Sequence, residues 1–105
     1  MKISVNVVAD RTVRLSVAGE IEMATVGDVE RGLADALTTP GITKVIVDFA
    51  DVTFCDSSGI AALDRAYAMA TRREICLRLE NVRRNVRRVL ELTGLLDALT
   101  DPGQA

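Results

Sequence analysis

The sequence predicts an α/β fold: a four-stranded mixed sheet, opened by an antiparallel hairpin and continued by parallel strands, carrying three main helices. Two observations predict it. Apolar residues recur every second position near the amino terminus, then at helical spacing after Thr25, and the two patterns alternate from there on. The resulting order is strand, strand, helix, strand, helix, strand, helix, in which each strand-helix-strand unit implies a right-handed parallel crossover. A chain of 105 residues is the length of one ordinary domain, so a single domain over residues 1–105 is expected, with a short polar tail from about Asp101.

Each element has its own signal. From Ile3 to Val8 the apolar residues Ile3, Val5 and Val7 alternate with polar ones, and after Ala9-Asp10-Arg11 the alternation resumes at Val13, Leu15 and Val17. Two half-buried strands joined by a tight turn make a hairpin, and Gly19 is expected to end its second strand. Thr25 reads as the N-cap of the first helix, whose apolar face is Val26, Val29, Leu33 and Leu37. Gly27 and Gly32 lie inside that helix at about 1 kcal/mol each relative to Ala, so tertiary packing must hold it. Pro40-Gly41 closes it.

Val45, Ile46 and Val47 form a continuous apolar run within Lys44 to Phe49, which predicts a central strand covered on both faces or nearly so. After Ala50-Asp51, the stretch Val52 to Cys55 leads to a second helix capped by Asp56 or Ser57, whose alanines let it lie close to the sheet. Arg72-Arg73-Glu74 ends that helix. Ile75, Leu77 and Leu79 then alternate with Cys76, Arg78 and Glu80 in a fourth strand with a more exposed face. Val82, Val86, Val89 and Leu90 mark a third helix ended by Thr93-Gly94, and Leu95, Leu96 and Leu99 form a short apolar continuation.

Composition narrows the function classes. The net charge of -2 gives no field for nucleic acid or an anionic membrane, and three aromatic residues, Phe49, Phe54 and Tyr67, give almost no platform for stacked bases. The absence of histidine removes the commonest general base and metal ligand, so neither an enzyme nor a metal or other cofactor is expected. No apolar run approaches the ~18 residues of a membrane span, and the alternating amino terminus is not a signal-peptide core. A cytoplasmic protein with a protein partner is the expectation. Cys55 and Cys76, placed near opposite ends of adjacent parallel strands, are expected to be free.

Ligands and partners of such sheets meet the carboxyl ends of the parallel strands, where the sequence places Gly19 to Glu22 and Asp56 to Gly59. Local chemistry alone makes Asp56-Ser57-Ser58-Gly59 a helix cap. Separated motifs add more: Gly19-Glu20-Ile21-Glu22, Val47-Asp48-Phe49, Val52 to Ile60 around the turn, and Val89-Leu90-Glu91-Leu92-Thr93-Gly94-Leu95. Together they resemble STAS domains of the bacterial anti-sigma factor antagonist group, over nearly the whole chain.

The resemblance implies a mechanism. The second serine of the turn, Ser58, would accept a phosphoryl group from an anti-sigma factor that is itself a serine kinase. The unphosphorylated protein would bind that factor and free a sigma factor, and a serine phosphatase would reset the switch. Glu20, Glu22, Asp56, Ser57 and Gly59 would border the partner. The family typically has Asp where this chain has Glu22, which keeps the charge and lengthens the arm. Asp56 has two roles open to it, a cap or a group that orients the Ser58 hydroxyl. The exposed hairpin edge leaves room for a weak homodimer.

Other readings compete with this one. Small STAS domains also resemble regulatory subunits of inner-membrane lipid-transport ATPases, without membrane insertion of their own. A hydrolase using Ser57 or Ser58 lacks both a histidine base and a Gly-x-Ser-x-Gly elbow. Arg83, Arg84, Arg87 and Arg88 suggest a phosphate or nucleic-acid site, but read better as a solvated helix face, with Arg87 and Glu91 paired at i, i+4. Cys55, three residues before Ser58, invites a redox sensor, which needs an accessible thiolate and a cationic neighbour.

Overall fold

In the computed structural model, which describes residues 1–100, the order is β1 (Lys2–Ala9), β2 (Thr12–Ile21), α1 (Val26–Leu37), β3 (Lys44–Cys55), α2 (Ser57–Arg72), β4 (Cys76–Glu80), α3 (Arg84–Thr93) and α4 (Leu95–Thr100). The expected tail from Asp101 lies outside the described residues. The strands pair in the order β1-β2-β3-β4, with β1 and β2 antiparallel and the others parallel. The apolar continuation after Gly94 is the short helix α4, and Gly94 itself is the left-handed cap of α3.

The sheet has one covered face. Alternation puts Val13, Val45 and Leu77 in one row and Leu15, Val47 and Leu79 in the next, all buried. Against them pack Val29, Leu33 and Leu37 of α1, Leu63 and Ala66 of α2, Val86 and Leu90 of α3, and Leu96 and Leu99 of α4. The opposite face carries Arg14, Ile46 and Arg78 in one row and Ser16, Asp48 and Glu80 in another, all of intermediate exposure. The expectation that β3 is covered on both faces is therefore corrected. Ile46 continues the apolar run because arginine stems on both neighbouring strands flank it, not because a helix covers it.

Two strand ends also differ from expectation. β2 does not stop at Gly19 but runs on to Ile21. β3 is one strand through Cys55, twelve residues long beside the ten of β2. Two register shifts, one opposite Ser16/Ala18 and one opposite Gly19/Glu20, absorb the two extra residues. The break in periodicity at Ala50-Asp51 is thus a bulge and not a strand end. Asp48 stabilises it: Oδ1 accepts from the Ala50 N–H at 2.9 Å and from the Asn81 amide at 3.1 Å, while Oδ2 accepts from Arg14 at 2.8 Å.

Gly32 explains how a helix with two interior glycines survives. A Cβ there would stand 2.8 Å from Ile3 Cγ2 and 3.0 Å from Leu15 Cδ1, so α1 crosses the hairpin closer than any larger residue permits. The two cysteines are free, with Cys76 beside Lys44 at the start of β3 and Cys55 at its end.

Candidate functional site

Ile21 and Cys55 are paired at the ends of β2 and β3. The ladder extends one step further, because the Asp56 N–H donates to the Ile21 carbonyl at 3.1 Å. Asp56 is extended (φ -97, ψ -170) and caps α2: Oδ1 accepts from the Ser58 N–H at 2.9 Å, and its carbonyl accepts from Gly59 and Ile60 at 3.1 and 3.2 Å. Ser57 is the first helical residue, which settles the choice of cap.

The same Oδ1 also accepts from the Ser58 hydroxyl at 2.5 Å. One carboxylate oxygen thus holds both the helix cap and the Ser58 hydroxyl. That hydroxyl bond is the main cause holding the Asp56 carboxyl below its ordinary range; burial works against it, and the N–H bonds of Ser58 and Gly59 add to it. An ionised acceptor fixed on a partly exposed serine hydroxyl can take its proton as the oxygen attacks an electrophile.

Around the turn, Ser57 is exposed, Ser58 half-buried and Gly59 buried. A Cβ on Gly59 would collide with Cys55 Sγ and come within 2.7 Å of Ile21 Cγ2. Gly59, expected at the partner border, is buried and seats the first turn of α2 against both strand ends. Burial, followed by the charge of Asp56, pushes the Cys55 thiol up to about 11, and the thiol donates to the Asp56 carbonyl at 3.6 Å. That removes the thiolate a redox sensor needs.

The loop from β2 to α1 lies beside this turn because β2 and β3 are parallel neighbours. Thr25 occupies the N-cap position of α1 without capping it. Its hydroxyl reaches back instead, donating to the Glu20 carbonyl at 2.7 Å and accepting from the Glu22 N–H at 3.0 Å. Glu22 Oε1 accepts from the Ala24 N–H at 2.9 Å, so the carboxylate braces its own loop. Glu20 is exposed and pairs with Phe54 across the strands.

The fold thus brings Glu22, Asp56, Ser57 and Ser58 to one end of the sheet, with Glu20 just behind. Sequence reasoning missed the exposed apolar residues nearby: Met23 at the loop tip (83% exposed), Phe54 (45%) and Leu92 on α3 (88%). Leu92 could have been found, since it falls off the Val82-Val86-Val89-Leu90 stripe. From Ser57 a groove of about 500 Å³ runs between α2 and α3, lined by Ile60, Asp64, Val89 and Leu92.

Of the arginine cluster, Arg83 donates to the Ala50 carbonyl at 2.8 Å and Arg87 pairs with Glu91 at 3.6 Å, while Arg84 and Arg88 are exposed. Among the described residues no group of His, Cys, Asp or Glu is arranged to hold a metal ion, and no helix is long and apolar enough to cross a membrane.

Fold and site together define a class, an α/β domain with a capped serine turn at the carboxyl ends of its parallel strands. The STAS domain model matches residues 4–102, and the chain belongs to that family. Its fold is similar to that of the anti-sigma factor antagonist SpoIIAA in the unphosphorylated form, at 23% identity and TM-score 0.77 over 90% of this chain and 83% of the other. The Bacillus SpoIIAA has been solved in a phosphorylated form as well. A candidate anti-sigma factor antagonist of Thermotoga maritima gives 20% identity and TM-score 0.82, covering 93% and 83%. A sulfate transporter family protein of Wolinella succinogenes gives 22% and 0.75, covering 91% and 77%. Among curated proteins none matches the sequence.

Proposed function

We propose that this chain is an anti-sigma factor antagonist that acts by binding and not by catalysis. Unphosphorylated, it binds an anti-sigma factor of the serine-kinase type in the cytoplasm and so releases a sigma factor. Phosphorylation of Ser58 switches that binding off, and a serine phosphatase restores it. The observation that carries the reading is the Ser58 hydroxyl held by the capping carboxylate of Asp56 on an accessible helix start.

The electrostatics support release without refolding. Glu20, Glu22 and Asp56 already make this end of the sheet acidic. A phosphate adds about -1.5 to -2 charges to it, while the N–H groups and dipole of the α2 start tolerate the new dianion. A partner fitted to the unmodified surface through Glu20, Glu22, Asp56 and Ser57 loses both shape and charge balance.

The test is to isolate the bound partner from the native cell and incubate it with ATP. One phosphate on the wild-type chain, none on Ser58→Ala, and weakened binding by Ser58→Glu are expected. Full partner binding by Ser58→Glu sinks the proposal. Similarity to a sulfate transporter family protein favours a second reading, regulation of a membrane transport complex such as a lipid-transport ATPase. Recovery of a transporter ATPase in place of a kinase would select it.

A further inference from the structure

We propose that two copies of this chain associate through the outer edge of β1, pairing antiparallel about Val5 to form one continuous eight-stranded sheet. β1 is the terminal strand of the sheet among the described residues, so one row of its backbone N–H and C=O groups has no strand beside it. Edge strands are normally blunted by charge, proline or brevity. β1 has eight residues, no proline, and a single charge at Lys2.

The same edge carries a knob and a hole. Ile3, Val5 and Val7 stand opposite Val17, Leu15 and Val13, which places all three on the helix-covered face. Val7 is 69% exposed there because no helix reaches it. Closer to the amino end, a groove of about 380 Å³ opens between β1 and α1, lined by Met1, Ile3 and Val5 on one side and Asp28, Arg31, Gly32 and Asp35 on the other. Gly32 lets α1 lie directly on Ile3 and Leu15, so the groove stays shallow at that point and its apolar wall is the hairpin itself.

A two-fold axis relates knob to hole in only one workable way. In a symmetric antiparallel pair, facing residues must share both side-chain face and hydrogen-bonding direction, so the axis must pass through a residue and not between two. An axis at Ser4 sets Val7 opposite Met1, beyond the end of the strand. An axis at Asn6 would pair Val8 and Ala9 across the bulge that shifts the register between Val7 and Ala9. An axis at Val5 uses only the regular segment, sets Val7 of each copy opposite Ile3 of the other, and so lays the exposed valine into the groove.

Charge allows this register. Lys2 falls just outside the regular segment, and the two copies of Lys2 lie about six residues apart along the pair, roughly 20 Å, beyond the ~8 Å screening length at physiological salt. The contact is small. Five residues a side fall below the ~1,200 Å² of a stable interface, so association belongs at a dissociation constant on the order of 0.1 mM. Asp56 and Ser58 stand at the end of β3, two strands away, and stay open in the dimer.

Sedimentation velocity on the full chain from 10 μM to 1 mM, as an order-of-magnitude range set by that affinity, should show the average mass rising toward two protomers. Val7→Lys, at an already exposed position, should keep the chain monomeric throughout, while Leu92→Lys on α3 should dimerise as wild type does. Register is read by mixing Ser4→Cys with Asn6→Cys in a Cys76→Ser background under mild oxidation. The mixture should cross-link and neither variant alone should do so, because residue 4 faces residue 6 of the other copy. A monomer at every concentration, dimerisation unaffected by Val7→Lys, or cross-linking of each variant to itself would overturn the proposal.

Discussion

At the scale of single residues, Asp56 ties strand, helix and hydroxyl together. Replacing it with Ala removes the cap and frees the Ser58 hydroxyl, so phosphorylation by the cognate kinase should slow by about 10²-fold, with a lower urea midpoint as the independent readout. Gly59 is equally constrained. Gly59→Ala should destabilise by about 1–3 kcal/mol through overpacking, and Cys55→Ala in the same chain should recover part of the loss in a double-mutant cycle. With its thiol pushed up to about 11, Cys55 should resist alkylation near neutral pH while half-exposed Cys76 is labelled first; equal labelling in the native state would contradict the burial. The capping carboxylate could be anticipated from Asp-Ser-Ser, since small acceptors at a helix start have one common use. The burial of Gly59 could not, because it depends on Ile21, thirty-eight residues earlier, arriving at the same point. The same limit applied to Thr25, whose hydroxyl prefers the Glu20 carbonyl to the helix it was expected to cap.

At the scale of elements, β3 is the most informative. The apolar run Val45 to Val47 located its first half but misjudged its cover, and the pattern broke at Ala50-Asp51, where the bulge reverses which residues face inward. No periodic pattern distinguishes an inserted residue from the end of a strand. Asp48 marks the bulge chemically. Burial alone would raise its carboxyl, yet bonds from the Ala50 N–H, the Asn81 amide and the Arg14 guanidinium together hold it below the usual range. A depressed carboxylate stabilises the fold fully above its unfolded value near ~3.9. That contribution fades as pH falls through the lower folded value. Asp48→Asn should therefore lower stability at pH 7 by about 1–3 kcal/mol, and the loss should shrink below about pH 4. Unfolding midpoints measured across that range check it.

At the scale of the whole molecule, the decisive property is a sheet clothed on one face only. The order of elements, and with it the mixed topology, was legible because period two and period 3.6 are distinct along this chain. The uncovered face was not, since Ile46 between two arginines imitates a doubly buried strand. Hydrogen exchange should report the layering: β2 and the first half of β3, flanked on both sides, should hold their amides longest, and outward-pointing amides of β1 should exchange first. Uniform protection across all four strands would count against that arrangement. Concentrating the protein toward 1 mM should slow the β1 amides selectively if they become paired.

The seating of Gly59 against Cys55 and Ile21 has a bearing on time. On the proposed reading, a phosphate on Ser58 meets a turn already bonded and wedged into the sheet, so it would change the surface in place, in shape and in charge, without refolding the domain. The lifetime of the message would then be the lifetime of one ester bond. Such a device would forget only when an enzyme erased it, and its memory would be set by the cell's chemistry and not by the protein's own motion.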